Sequence, residues 1–365
     1  MKRSEKRTSS ANNSTPLDTG AKVRPTPDGG YAFEELFDMV SESTPTRRDR
    51  LREHYLRFVH APLAIMWYDW RAKTGAVLLF TYIFVGIVGP IVIEPTAPGQ
   101  EAYARPWFES MENPLGTDEV GRDLLALTVY STWPVLQMMA AGGLFTVLTG
   151  VVFGMISGYK GGSVDTILST ITDITINIPG LPLVMVLAII FEPRNPYLIG
   201  ILLTVAAWGG LARAIRSQVL TMRSESFTEA SRVIGMSTGY IIIKDLLPRL
   251  MPYILVNFVF AARAVVFSAV ALYFLGVLPI TDPNWGVMLS QAHAAGALNR
   301  PAIYHWIIVP IIAIIGISMS LILLSQSMDR VFNPRVRARH LRSSKVGDEI
   351  EGADEAKSYD AMRQI

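Results

Sequence analysis

The polar residues of this chain form one dense pattern, and its chemistry is that of docking rather than catalysis. It reads Glu229-Ala230-Ser231-Arg232-Val233-Ile234-Gly235 and is followed by Leu247-Pro248. Glycine ends helices and proline interrupts them, so the spacing predicts a short helix, a glycine turn and a second short helix stopped at Pro248. Two further charges, Asp173 and Arg263, stand alone among apolar residues. His293 and His305 have no neighbouring His, Asp or Glu at metal-ligand spacing and read as surface histidines. With no cysteine in the sequence, disulfides, thiolate ligands and cysteine nucleophiles are excluded. There is no glycine loop ending in Lys-Ser/Thr to cradle a nucleotide, so the chain cannot drive ATP-dependent work alone. Neither catalytic residue, metal, cofactor nor nucleic-acid partner is expected on it.

The elements that must position these residues are membrane spans. Half of the 365 residues are hydrophobic and 18% are charged, with the apolar ones in blocks. Residues 74–93 form an uncharged run of about the ~20 residues that cross a hydrocarbon core. Residues 124–159 are also uncharged and exceed one span, 166–191 are interrupted only by Asp173, and 195–212 carry no charge. Residues 250–281 contain only Arg263, and 301–328 have no Lys, Arg, Asp or Glu. That predicts an all-α membrane protein of six transmembrane helices, because lipid admits only helices and closed barrels and these runs are too long for barrel strands.

Charge predicts the orientation. With both termini in the cytoplasm, the outer segments 94–123, 192–194 and 282–300 hold four basic residues, Arg105, Arg122, Arg194 and Arg300. The inner segments hold Lys160, Arg213, Arg216, Arg223, Arg232, Lys244 and Arg249, and the C-terminal tail adds more. This is the positive-inside bias, and it places 229–248 in the cytoplasm. Residues 1–46, rich in Ser, Thr, Asn, Pro and Gly, read as a disordered cytoplasmic tail, as do 331–365. Residues 47–73 are basic and aromatic and suit a juxtamembrane segment on the inner leaflet, so the lipid bilayer itself is a partner. No secretory signal precedes the first span, 74–93, which is expected to act as its own insertion signal. Residues 94–123 form an outer loop and 124–330 the main transmembrane domain. Trp67, Trp70, Trp107, Trp133, Trp285 and Trp306 lie near proposed span ends, as an aromatic belt requires. Gly142, Gly143, Gly150 and Gly154 predict close helix packing in the second span.

Two motifs carry a family resemblance. The outer loop reads Asn113-Pro114-Leu115-Gly116-Thr117-Asp118-Glu119-Val120-Gly121-Arg122-Asp123, where Thr117 or Asp118 is expected to cap the second span. It resembles the HPLGTD-x-x-GRD signature of C-type permease subunits of dipeptide, oligopeptide and nickel ABC importers, with Asn113 in place of histidine. The 229–248 segment resembles the EAA loop of such permeases, with Ser231 where alanine is usual. The resemblance also covers Gly158 to Gly162, Asp173-Ile174, Pro179-Gly180, Trp208, Ala212-Arg213, Phe274-Leu275-Gly276 and Trp285 to Leu289. Ala269 stands where the family has glutamate, and Val277 to Asp282 is shorter than usual, so the solute is open.

The resemblance implies the type I ABC importer permease fold in a cell membrane. It also implies a homologous second permease, two ABC ATPase subunits that bind ATP and Mg, and an extracytoplasmic solute-binding protein. Glu229, Ala230, Ser231, Gly235, Leu247 and Pro248 would then couple to the ATPase. Asp173 and Arg263 lie about 12–17 Å from the inner surface at helical rise, where an isolated charge needs a partner or a wet cavity. They stand as a buried pair, as lining of the path, or as contacts to a partner subunit or headgroup. The leading reading is a peptide importer permease. A nickel or other small-solute permease, an ion-coupled secondary transporter using Asp173, and a membrane enzyme are the alternatives.

Overall fold

The apolar runs fold as helices throughout. The computed structural model describes residues 69–95, 98–99, 101–106, 113–279 and 283–332, with side chains described as far as 328. All belong to the unit Pro62–Ile365. The expectations for 1–46, for 47–68 and for the tail beyond 332 lie outside the described residues, as do Trp67 and Trp107. In chain order the helices are α1 (Trp70–Val92), α2 (Leu124–Lys160), α3 (Gly162–Asn177), α4 (Gly180–Phe191), α5 (Pro196–Leu203), α6 (Trp208–Met222), α7 (Ser226–Val233), α8 (Thr238–Phe274), α9 (Trp285–Ala294) and α10 (His305–Phe332). No named strand occurs among the described residues; an isolated bridge joins Thr117 and Asp123.

Four helices, α1, α2, α8 and α10, are long and apolar enough to cross a membrane, and the number rises to six if each of two bent pairs is one span. The expected third and fourth spans are thus not straight. α3 and α4 meet at 87°, and α5 and α6 at 61°. The first break has a local cause. Ile178, pushed from the helical region by the proline that follows, is extended at φ −72° and ψ 127°, and Pro179 supplies no donor. At the second, the buried Thr204 hydroxyl lies within hydrogen-bonding distance of the carbonyls of Gly200, Ile201 and, across the helix pair, Gly142 (3.1, 3.2 and 3.3 Å).

α2 is the central post, packed along α5, α6 and α8. Gly142 of α2 and Gly200 of α5 lie so close that a Cβ on Gly142 would meet the Gly200 carbonyl oxygen at 2.5 Å. Small residues allow that backbone contact, as expected of this span. Below it, Leu211, Ile215 and Val219 of α6 pack with Met155 of α2 and with Ile241, Leu246 and Leu250 of α8 in one buried cluster. α1 lies across α2 and α10, tied by the Tyr82 hydroxyl donating to the Ala313 carbonyl (2.8 Å) and the Ser320 hydroxyl donating to the Gly75 carbonyl (2.8 Å).

Several expected boundaries move. α1 starts at Trp70, inside the segment assigned to the membrane surface, and Asp69 caps it by accepting from the Arg71 amide (2.9 Å). α10 starts at His305, because residues 301–303 form a 3-10 turn. Trp285 and Trp306 are not belt residues: both are fully buried, in a cluster with Leu124, Leu127 and Ile314. They are covered because the outer segment contains α9, whose first residue is Trp285 itself, packed between α8 and α10.

Candidate functional site

The 229–248 segment folds as an arm on two anchored stems. α7 ends in a left-handed turn at Gly235, φ +84°, with the Gly235 amide donating to the Arg232 carbonyl (3.0 Å) and the Met236 amide to the Ser231 carbonyl (3.1 Å). This pair of bonds closes the helix on glycine, as its spacing predicts. α7 is held at its base by the buried Thr228 hydroxyl, which donates to the Met222 carbonyl (2.9 Å), and by the Arg249 guanidinium, 3.6 Å from the Phe227 ring centre. Ser231 has a specific partner: its hydroxyl donates to the Asp245 carboxylate (2.7 Å), joining α7 to the returning helical stem of the arm. Alanine at 231 would leave that bond unmade. Glu229 and Ala230 are exposed on α7.

Pro248 does not stop a helix, contrary to the expectation from its type. The returning stem runs unbroken from Thr238 into the long span α8, with Leu247 and Pro248 half-buried along it. Residues Ile241–Leu246 adopt π-helical geometry, in which the Leu247 amide donates to the Ile242 carbonyl five residues back. The wider turn just before Pro248 accommodates its missing donor and its ring, which a straight α-helix would set against the carbonyl four residues earlier.

The tip of the arm is apolar and bare. Val233 is 86% exposed and Ile234 72%, with Met236, Tyr240 and Ile243 also exposed around them. A cleft of about 600 Å³ opens beneath, between the ends of α2 and α6 and the arm, and Glu229 lines it.

The two isolated charges do not meet. Asp173 accepts from Arg213 of α6 at 2.5 Å, and Arg263 instead stands 6.0 Å from the Phe267 ring centre. About two turns away along α3, Asp165 takes a two-pronged contact from Arg216 (2.6 and 2.7 Å) and a hydroxyl bond from Ser169 (2.9 Å). Asp165 and Asp173 lie eight apart on α3, and their partners Arg216 and Arg213 lie three apart on α6. Arg213 and Arg216 were the partners that the apolar-run reading passed over, and their spacing on one helix face was the signal available for them. Both Asp173 and Arg213 remain more than half exposed within this chain, at 55% and 57% of their side chains.

A second cavity, about 330 Å³, lies where the two broken spans meet α8. Ile178 and Gly180 from one break, Ala206 and Ala207 from the other, and Ser268 of α8 line it; neither Asp173 nor Arg263 does.

The 113–123 motif is a clamp. Asp118 is completely buried and accepts from the amides of Val120 (3.0 Å) and Arg122 (2.8 Å) and from the Arg122 guanidinium (2.6 Å). Thr117, equally buried, donates to the Glu101 carbonyl (2.6 Å) and accepts from the Ala104 amide (2.8 Å). Neither caps α2. That role falls to Asp123, which accepts from the amides of Leu125 and Ala126 (3.1 Å each). Partial burial raises the Asp123 carboxyl above its usual range, and these two amides offset part of the rise. Arg122 also donates to Gln291 of α9 (3.2 Å), and the His305 ring lies 3.4 Å from the Thr117 carbonyl, so the loop fastens α2 to α9 and α10. His305 is therefore a half-buried contact, not a surface residue, whereas His293 is exposed beside the Phe274 ring.

Comparison with known proteins agrees with this architecture. Residues 150–338 match the model of the binding-protein-dependent transport system inner membrane component family. The chain is similar to the dipeptide transport system permease protein DppC of Bacillus subtilis, 33% identical over 60% of this chain and 69% of the relative. It is also similar to the oligopeptide transport system permease protein OppC of Haemophilus influenzae, 31% identical over 72% of this chain and 82% of the relative. A third relative, the oligopeptide transport system permease protein OppC of Bacillus subtilis, is 28% identical over 60% of this chain and 72% of its own length. An all-helical chain with several apolar spans, a clamped outer loop and no catalytic cluster among its described residues thus belongs to the binding-protein-dependent transport system inner membrane components.

Proposed function

We propose that this permease imports dipeptides or oligopeptides and couples to an ATPase through the 229–248 arm. The observation that carries the coupling role is the arm itself. Its stems are fixed by Thr228, Ser231–Asp245 and Arg249–Phe227, yet its tip leaves Val233 and Ile234 uncovered by the described residues. A rigid lever with an apolar tip fits a groove on another protein, and side chains so exposed lose water only when such a partner covers them. The names of the similar permeases support peptides over nickel as the solute.

In this reading the two bent pairs each count as one span, giving six, with both termini in the cytoplasm of a multi-pass protein of the cell membrane. The chain forms half of the path, a homologous second permease the other half. Two ABC ATPase subunits carry ATP and Mg, and an extracytoplasmic binding protein delivers the solute. Closure of the ATPase pair pulls both arms and biases the spans toward the outward-open state. Asp173, Arg213 and Arg263 then face the second permease or the aqueous path rather than lipid, because charges at that depth are too costly against hydrocarbon.

The test replaces the tip. Val233→Ser with Ile234→Ser should leave folded yield unchanged while the ATPase subunits no longer co-purify and uptake stops. Normal uptake by this variant would sink the docking role. A reporter fused after Gln218 should lie inside and one at Asn299 outside; external protease access at both overturns the orientation.

A further inference from the structure

The cleft beneath the arm collects positive charge from three separate elements. Lys160 ends α2, Arg223 follows the last residue of α6 and Arg232 lies in α7, and all three line it. Glu229 is the one carboxylate among its lining residues, while Ser224 and Thr238 add hydroxyls. The direct bonds of the nearby Asp165 and Asp245 go to other residues, Asp165 to Arg216 and Ser169 and Asp245 to Ser231, although the Asp165 carboxylate also lies within electrostatic reach of Arg223. Arg223 is held by donation from one guanidinium nitrogen to the Gly158 carbonyl (3.3 Å), which leaves most of its donor fork for another acceptor.

Like charges drawn to one cleft repel each other, so the arrangement becomes favourable when an anion sits among them. Guanidinium forks beside an ammonium match the oxygens of a phosphate better than a single carboxylate, which offers fewer acceptors. The volume, about 600 Å³, admits a phosphate group with substituents.

From this geometry we propose that the cleft binds a phosphate-bearing anion, which braces the arm against the ends of α2 and α6. Its consequence for transport rests on the arm being the ATPase-coupling element; the binding itself does not. With the cleft filled, α7 is tied to the two span ends by charge-assisted bonds, and movement of the ATPase passes into the spans with less slack. Two sources carry this chemistry, the headgroup of an anionic phospholipid and free phosphate.

The experiment uses the complete purified transporter. It is placed in nanodiscs of phosphatidylcholine, with and without phosphatidylglycerol, and separately titrated with inorganic phosphate in phosphatidylcholine alone. Retained lipid is read by mass spectrometry and bound phosphate by the shift in thermal midpoint, for wild type and for Lys160→Gln with Arg223→Gln. Each cation near an anionic group is worth about fivefold in affinity, so the double variant should bind about 25-fold more weakly. Loss of phosphatidylglycerol retention assigns the headgroup, and loss of the phosphate shift alone assigns free phosphate. Equal binding of both probes by wild type and double variant overturns the site. If the double variant fails to fold, Lys160→Gln alone, at an exposed helix end, should still bind about fivefold more weakly; binding equal to wild type overturns the proposal. ATPase co-purification from the same samples reports separately on the docking role.

Discussion

The 113–123 clamp and the 229–248 arm are both loops with a sequence signature, and they treat their polar and apolar groups in opposite ways. In the clamp, Thr117 and Asp118 are buried and their oxygens are taken by backbone amides and carbonyls and by Arg122 of the same loop. In the arm, hydrogen bonds hold the stems and close the Gly235 turn, while the Val233 and Ile234 side chains at the tip are bare apolar surface. A loop that satisfies itself fixes the scaffold. A loop that leaves Val233 and Ile234 exposed is built for contact with something else. Both signatures read alike in sequence, as polar stretches with glycine, and only the destination of each side chain separates them.

If that contrast is right, damage to the clamp destroys the fold and damage to the arm does not. The largest effect is expected from Asp118→Ala. It strips Arg122 of its carboxylate partner and leaves the part-buried amides of Val120 and Arg122 without their acceptor, a loss of about 3–5 kcal/mol. Folded yield and thermal midpoint should fall together, and a variant that purifies with a wild-type melting curve would break the comparison.

Gly235→Val should act in the other sense. No atom lies within 4 Å of a Cβ at this position, so packing is not at issue, but φ +84° is strained for a β-branched residue by about 1–3 kcal/mol. That cost falls on the turn alone. The span bundle should melt as in wild type while uptake and ATPase co-purification drop. Unchanged transport would mean that the shape of the turn is irrelevant to coupling.

What the sequence made legible, and what it hid, follows the same physics. Gly235 was readable because a positive φ at a helix end has few residue solutions. Pro248 was misread because proline's missing donor admits two outcomes, a stopped helix or a π-widened one, and the burial of Ile241 and Leu246 against α2 and α6 selects the second. Uncharged runs located the third and fourth apolar segments, though the fourth continues past the expected end at 212 to Met222 through Arg213 and Arg216. They carry no information on direction, so the bends of 87° and 61° were invisible except for the hint at Pro179. Trp285 and Trp306 matched a belt by position, yet α9 buries them. The partner of Asp173 depended on which face it presents, and that is set by how α3 packs on α6.

A smaller effect is expected at the stem. Ser231→Ala removes the bond to Asp245, worth about 1 kcal/mol, and so loosens the arm without touching its tip. ATPase subunits should still co-purify, while uptake falls by a modest factor. Complete loss of co-purification would place Ser231 in the contact itself and blur the line between stem and tip.

The smallest effect belongs to the ion pair of Asp173 and Arg213, which is neither clamp nor tip. Both side chains are more than half exposed in the isolated chain, and pairs of that kind couple by about 1 kcal/mol or less. A cycle of Asp173→Asn, Arg213→Gln and the double variant, read by thermal midpoint of this permease alone, should give a coupling in that range. The parallel cycle of Asp173→Asn with Arg263→Leu should be additive, since Arg263 stands over Phe267 instead. The assembled transporter makes the sharper measurement. If a second permease covers this face, the pair loses its solvent there, and its coupling must grow above the value in the isolated chain. A coupling that is equal in both settings would leave Asp173 and Arg213 in water, on the path rather than in the subunit contact.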